Sequence, residues 1–160
     1  FVGTNYYLDQ LAKSNLSVPV LGVEIIEPEG PQMTTGTAIR PDGLYWAITK
    51  TREYTSLPQY VTEVGVCLPD YVNTSGGVED PGRVSYLSSC LMAIQKSVIE
   101  GCDVRGIYVW SLLDNLEWNQ GFGHRFGLFY VDYRTQERIP KTSAKWYSKV
   151  IEEFHSRFAT

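Results

Sequence analysis

No apolar run in the 160-residue sequence approaches the roughly 18 residues a membrane-spanning helix needs, so no membrane partner is expected. A basic excess is also missing. Fourteen Lys and Arg face eighteen Asp and Glu, a net charge of −4, which excludes a nucleic-acid footprint as the main theme. Histidine is scarce, with only His124 and His155, far apart and away from any cysteine. The three cysteines, Cys67, Cys90 and Cys102, form no C-x-x-C. Metal-ligand spacing is therefore absent, and no metal or cofactor is expected. No G-x-G-x-x-G follows a strand, so a dinucleotide site gains no support. Internal repeats, low-complexity segments and a leader peptide are not visible either. The odd cysteine count leans toward a reducing compartment and the sequons Asn15-Leu16-Ser17 and Asn73-Thr74-Ser75 lean the other way, which leaves localisation open. Oligomeric state is equally open.

What is present is an ordinary globular composition, 43% apolar, with eleven Tyr, six Phe and four Trp. The chain opens Phe1-Val2-Gly3-Thr4-Asn5 without a Met, as though it began inside a core strand. Phe1 to Tyr7 reads as a strand, and residues 14–37, which carry Pro19, Pro28, Gly30, Pro31 and Gly36, as a long loop. Pro41 suits a first helical position, before Leu44, Tyr45 and Ile48 at helical spacing. Gln59 to Thr62 is a short strand stopped by Gly65, and Leu68 to Gly77 a loop. Asp80-Pro81 predicts a capped helix start, with Val84, Leu87, Leu91, Ile94 and Val98 on one stripe and Gly101 as the C-terminal stop. Val104 to Leu113 is a third strand, Gly127 to Val131 a short one, and Arg134 to Gln136 a turn. A last helix from about Thr142 carries Tyr147, Val150, Ile151, Phe154 and Phe158.

Strands alternating with helices imply an α/β fold with a parallel sheet. A doubly wound sheet and a (β/α)8 barrel both satisfy this pattern. In either, chemistry gathers at the carboxyl ends of the strands. Those ends present Asn5-Tyr6-Tyr7, then Thr62-Glu63, then Trp110-Ser111 running into Asp114-Asn115-Leu116-Glu117-Trp118. Carboxylates that accept from hydroxyls, beside indoles that pack on the apolar face of a pyranose, suit a sugar. A carboxylate at an anomeric carbon can act as nucleophile or stabilise an oxocarbenium-like transition state. The bland alternatives are a solvated loop carboxylate at Glu63, core packing at Trp110 and a turn cap at Asp114 and Asn115.

At these residues the sequence resembles glycoside hydrolase family 1. Tyr60-Val61-Thr62-Glu63-Val64-Gly65 is similar to the family's Y-[IV]-T-E-N-G, and Val109 to Trp118 to its V-W-S-L-L-D-N-F-E-W. Arg125-Phe126-Gly127-Leu128 with Tyr130-Val131-Asp132-Tyr133 resembles R-F-G-L-x-Y-V-D-Y. Pro140-Lys141, Ser143-Ala144 and Trp146-Tyr147 match P-K-x-S-A-x-W-Y, and Phe1 to Tyr7 matches F-x-G-x-N-Y-Y. The resemblance implies a (β/α)8 TIM barrel and a retaining β-glycosidase of β-glucosidase type. It implies that residues 1–160 are the C-terminal part of one such barrel, about strands six to eight, with no second domain. By the same resemblance Glu63 is the nucleophile and Tyr7 orients it. Asn5, Trp110, Glu117, Trp118 and Phe126 bind the sugar, and Asp114 and Asn115 shape a loop.

Two positions depart from the family pattern. Val64 follows the nucleophile where Asn is usual, and Thr37 stands where a leaving-group Trp is usual, which implies a more open entrance. Members acting on 6-phosphoglycosides usually carry Ser at the Glu117 position, with Lys and Tyr at those of His124 and Phe126. The expected ligand is therefore an unphosphorylated β-D-hexoside or oligosaccharide, since Glu117 would repel a phosphate. The family's acid/base lies in an N-E-P segment; here the nearest match is Ile26-Glu27-Pro28, after the first strand, which is the wrong place. The 160 residues alone are therefore expected to be inactive. The alternatives are a non-catalytic relative that binds glycans or a protein, or an inactive truncated fragment; retention of Glu63 favours the enzyme.

Overall fold

A computed structural model describes residues 1–26 and 29–158. Three strands, β1 (Val2–Tyr6), β4 (Gln59–Val64) and β5 (Val104–Val109), form a parallel sheet in the order β1-β4-β5. Helix α1 (Gly43–Tyr54) connects β1 to β4 and helix α2 (Pro81–Ile99) connects β4 to β5, giving two successive βαβ units. Two antiparallel hairpins are appended. One is β2 (Leu11–Ser14) with β3 (Val23–Ile26); the other is β6 (Phe129–Val131) with β7 (Arg138–Pro140), which leads into α3 (Thr142–Phe158). Among the described residues, no helix is long and apolar enough to cross a membrane.

The core lies on one face of the sheet. Tyr6, Val61 and Val64 point from the strands toward Leu44 and Ile48 of α1 and Tyr86, Leu87 and Cys90 of α2, all buried in one cluster. On the opposite face Asn5 and Thr62 hydrogen-bond each other, and Asn5 and Tyr108 are exposed. The outer edges of β1 and β5 pair with no other described strand. A parallel strand is ordinarily covered on both faces; here helices cover one.

Several boundaries differ from the sequence expectation. Residues 14–37 contain most of the β2–β3 hairpin, in register from Leu11 opposite Ile26 to Ser14 opposite Val23. Every residue of both strands is exposed, so no burial alternation marked them. The Ile26-Glu27-Pro28 match lies partly outside the described residues, at Glu27 and Pro28. Helix α1 begins at Gly43 after a tight turn in which Gly43 N–H donates to Arg40 and Leu44 N–H to Pro41. β5 ends at Val109, because the chain then turns toward β6, where Asp114 N–H donates to the Phe129 carbonyl.

The start of α2 at Pro81 and the left-handed Gly101 just beyond its end agree with expectation, and its buried stripe agrees in part, since Leu87 is buried and Ile94 packs against the core. Arg83, Tyr86, Leu87, Cys90, Ala93 and Ser97 are buried, while Val98 is exposed. Asp80 does not cap the helix with its side chain. Its carboxylate instead accepts from Ser143 N–H at 2.8 Å, Ser143 Oγ at 2.5 Å and Arg83.

Candidate active site

Glu63 is the penultimate residue of β4, and Asn5 of β1 stands beside it in register, just past an irregularity between Thr4 and Asn5. The irregularity turns the end of β1 so that Tyr7, one residue beyond the strand, reaches across. Its hydroxyl donates to Glu63 Oε2 at 2.6 Å. Burial first, and then the hydrogen bond and charge of Glu63, raise the Tyr7 phenol above its ordinary range. The phenol therefore stays protonated and remains a donor. Its ring meets Phe126 edge-on, at a centroid distance of 5.9 Å. Phe126 is buried and fixes that wall.

Asn5, Tyr7, Glu63, Trp110, Glu117, Trp118 and Phe126 line one open cleft of about 550 Å³. All seven site residues expected from the sequence therefore come together. Trp110 leaves β5 directly: its N–H donates to the Val64 carbonyl at 2.9 Å, next to Glu63. Gly65 permits this approach, since a Cβ there would lie 2.1 Å from the Trp110 carbonyl oxygen. Glu117 and Trp118 sit on a tight loop closed by Glu117 N–H to Gly121 O and Gln120 N–H to Glu117 O, both 2.8 Å.

Sequence reasoning did not find the rest of the lining. Leu8, Met33, Thr35 and Gln120 join the cleft, as does Thr37, singled out earlier only as a missing Trp. The 31–39 segment folds back on itself through a Gln32–Ala38 bridge. It is pinned by Thr34, whose hydroxyl lies 2.7 Å from His124 Nδ1 and 3.0 Å from Cys67 Sγ. No periodicity could mark a loop positioned by such distant partners.

A second feature that the motifs did not disclose is a buried charge network. Asp70, Asp80, Arg83, Asp114 and Lys141 are almost completely buried together, with Arg125 at their edge. Lys141 Nζ donates to Asp70 Oδ2 at 2.6 Å and Asp114 Oδ1 at 2.8 Å. Arg83 donates to Asp70, Asp80 and the Arg125 carbonyl, and Arg125 to Asp114 Oδ2 at 2.6 Å. Three carboxylates thus balance three cations, which is what charges removed from water require. Burial and the neighbouring Arg83 lower the Lys141 ammonium, against the upward pull of Asp70 and Asp114. Among the described residues, no group of three or more His, Cys, Asp or Glu could hold a metal ion.

Comparison with known proteins identifies the family. The model of glycosyl hydrolase family 1 covers residues 1–155. β-Glucosidase A of Thermotoga maritima is 42% identical over 95% of this chain and 34% of its own length. A bifunctional β-D-glucosidase/β-D-fucosidase of Bifidobacterium breve is 37% identical over 98% of this chain and 38% of its own. The solved family 1 β-glucosidase from Thermotoga maritima in complex with isofagomine lactam superposes with a TM-score of 0.87 at 41% identity, covering 94% of this chain and 34% of that one. The chain spans about a third of the length of these relatives. Matched by the family model over nearly its whole length and by these relatives in sequence and backbone, it is a member of glycosyl hydrolase family 1.

Proposed function

We propose that this chain supplies the nucleophile side of a retaining β-glycosidase of β-glucosidase type, acting on unphosphorylated β-D-hexosides. Its three parallel strands are the sixth to eighth of a (β/α)8 barrel, and residues 1–160 belong to that single catalytic domain. The observation that carries the proposal is the Tyr7–Glu63 pair within one cleft with Asn5, Glu117 and the rings of Trp110, Trp118 and Phe126.

In this reading Tyr7 holds Oε2 and leaves Oε1 of Glu63 to attack the anomeric carbon. A bond forms between Oε1 and C1 as the bond to the leaving-group oxygen breaks, and water later releases the sugar. Trp110 packs under the pyranose, Phe126 closes the wall behind Tyr7, and Asn5 reaches the hydroxyl next to the reacting centre. Glu117 and Trp118 hold the hydroxyls farthest from it. The negative charge of Glu117 in the cleft disfavours a 6-phosphate. The partner carboxyl group, the acid/base, belongs to an N-E-P segment that these 160 residues do not contain.

The test uses the complete enzyme, or a chimera in which residues 1–155 replace the matching segment of the Thermotoga maritima enzyme. A 2-deoxy-2-fluoroglucoside should label Glu63, and Glu63→Gln should lower kcat by at least about 10⁴-fold with sugar binding retained. Labelling at another residue, or preference for a 6-phosphoglucoside, refutes the proposal.

A further inference from the structure

The loop that carries Glu117 and Trp118 has little apolar anchorage beyond the Phe122–Tyr133 ring contact at 4.5 Å. Between residues 111 and 122 the only buried side chains are Ser111 and Asp114. Leu112, Leu116, Trp118 and Phe122 are each exposed by half or more. Hydrophobic packing, the usual means of fixing a loop, is therefore not what sets this one. Backbone hydrogen bonds join residues 111–114 to 126–129, and the side-chain anchor beside them is the Asp114 carboxylate. That group accepts from Gly127 N–H at 2.9 Å, Arg125 at 2.6 Å and Lys141 at 2.8 Å.

Lys141 immediately precedes α3 and is itself held by Asp70, in the loop that follows β4. β4 carries Glu63. One buried ammonium thus ties the loop after β4 to the loop after β5. From Asp114 the tie continues locally. Asn115 Nδ2 donates to Ser111 Oγ at 2.9 Å and Leu113 O at 3.0 Å, and the Tyr133 hydroxyl donates to the Asn115 carbonyl at 3.3 Å. Glu117 follows two residues later.

We infer that Asp114, clamped by Lys141, is a positioning residue that sets where Glu117 and Trp118 stand relative to Glu63, and so sets discrimination among hexosides. It touches no substrate. Its effect passes through the loop, so its loss should weaken recognition of the distal hydroxyls more than it weakens attack by Glu63. This inference rests on the glycosidase reading above.

The experiment measures kcat and KM for a β-glucoside and its 4-deoxy analogue. It uses the complete enzyme or the chimera, with wild type, Asp114→Asn and Asn115→Ala. Wild type should prefer the hydroxylated substrate strongly, because a site that hydrogen-bonds a substrate hydroxyl rejects the analogue lacking it. In Asp114→Asn, KM for the parent glucoside should rise while kcat changes little, and the parent-to-deoxy preference should fall roughly tenfold, the scale of one charge-assisted hydrogen bond. Asn115→Ala removes only two bonds within the loop and should move the same ratio in the same direction by less. If Asp114→Asn does not fold, Asn115→Ala decides by that ratio.

A folded variant that loses activity equally on both substrates overturns the inference, because mere destabilisation would do that. A preference unchanged from wild type overturns it too. If wild type labels at Glu63 and the ratios do not move, the inference falls alone; if wild type neither turns over nor labels, both readings fall.

Discussion

Tyr7 and Glu63 are 56 positions apart in sequence and 2.6 Å apart in space, and the proposed chemistry rests on that contact. A phenol donating to a carboxylate is a charge-assisted bond, worth about 1.5–3 kcal/mol when one partner is removed. Tyr7→Phe should therefore lower kcat/KM by roughly 10- to 100-fold while keeping the ring that meets Phe126. The alkaline limb of the pH profile gives a second reading. The folded-state phenol is raised above its ordinary value, so it keeps its proton up to at least the ordinary tyrosine range near pH 10. Wild type and Tyr7→Phe should consequently share one alkaline limb; a limb present only in wild type below pH 10 would show that Tyr7 titrates in the working range. At this scale most of the site was legible, because its residues fall at strand ends and inside contiguous motifs. Met33 and Thr35 were not, because a loop pinned by Thr34 to His124 and Cys67 leaves no local pattern. Nor was Asp70, since a buried aspartate reads in sequence like any loop carboxylate until Arg83 and Lys141 are placed beside it.

The elements matter because their ends must meet closely. β4 and β5 pair until Val64 lies opposite Val109, and Gly65 then lets the Trp110 carbonyl come nearly into contact. The obstacle to any larger residue is backbone, which cannot rotate aside. Gly65→Ala should therefore cost about 1–3 kcal/mol of stability, read as a lowered urea midpoint at unchanged slope. It should also cost more activity than that loss explains, because the clash separates Glu63 from Trp110. A midpoint and kcat/KM like wild type would show that the two strand ends have room to part. Gly127 has a similar role one layer out, where a Cβ would meet the Asp114 backbone nitrogen at 2.2 Å.

The strands and helices of the βαβ units were readable because burial imposes a period on them. The β2–β3 hairpin escaped, being exposed along both strands. The stripe of α2 was legible only in part, at Leu87 and Ile94, because two of its buried positions, Arg83 and Ser97, are polar. Arg83 pairs with Asp70 and Asp80, and Ser97 donates to the Ile94 carbonyl. Hydrophobic spacing has no means of recording such positions.

For the whole molecule, the decisive fact is the asymmetry of the sheet. Helices cover one face; the other exposes Asn5 and Tyr108, and both outer edges lack a described partner strand. Unpaired parallel edges and an uncovered sheet face are costly in water and prone to association. The 160-residue chain alone should accordingly show no cooperative melt and no glycosidase activity.

Its cysteines provide an internal gauge. Cys67, Cys90 and Cys102 are free and buried, and burial pushes the Cys90 thiol up to about 12. A folded-state thiol raised above its ordinary value contributes stability that is fully present below about pH 8.5 and is lost as pH rises toward 12. It also keeps the group protonated, and so unreactive, at pH 8. In the complete enzyme or the chimera, a maleimide or iodoacetamide pulse at pH 8 should leave all three of these cysteines unmodified by peptide mass mapping. In the isolated chain all three should be labelled within the same pulse. Adding the strands that the proposal places before β1, as a separate polypeptide, should restore protection and activity together. Protection and a sharp melt in the isolated chain would show instead that the helical face alone carries the fold, and that the open side of the sheet needs no partner.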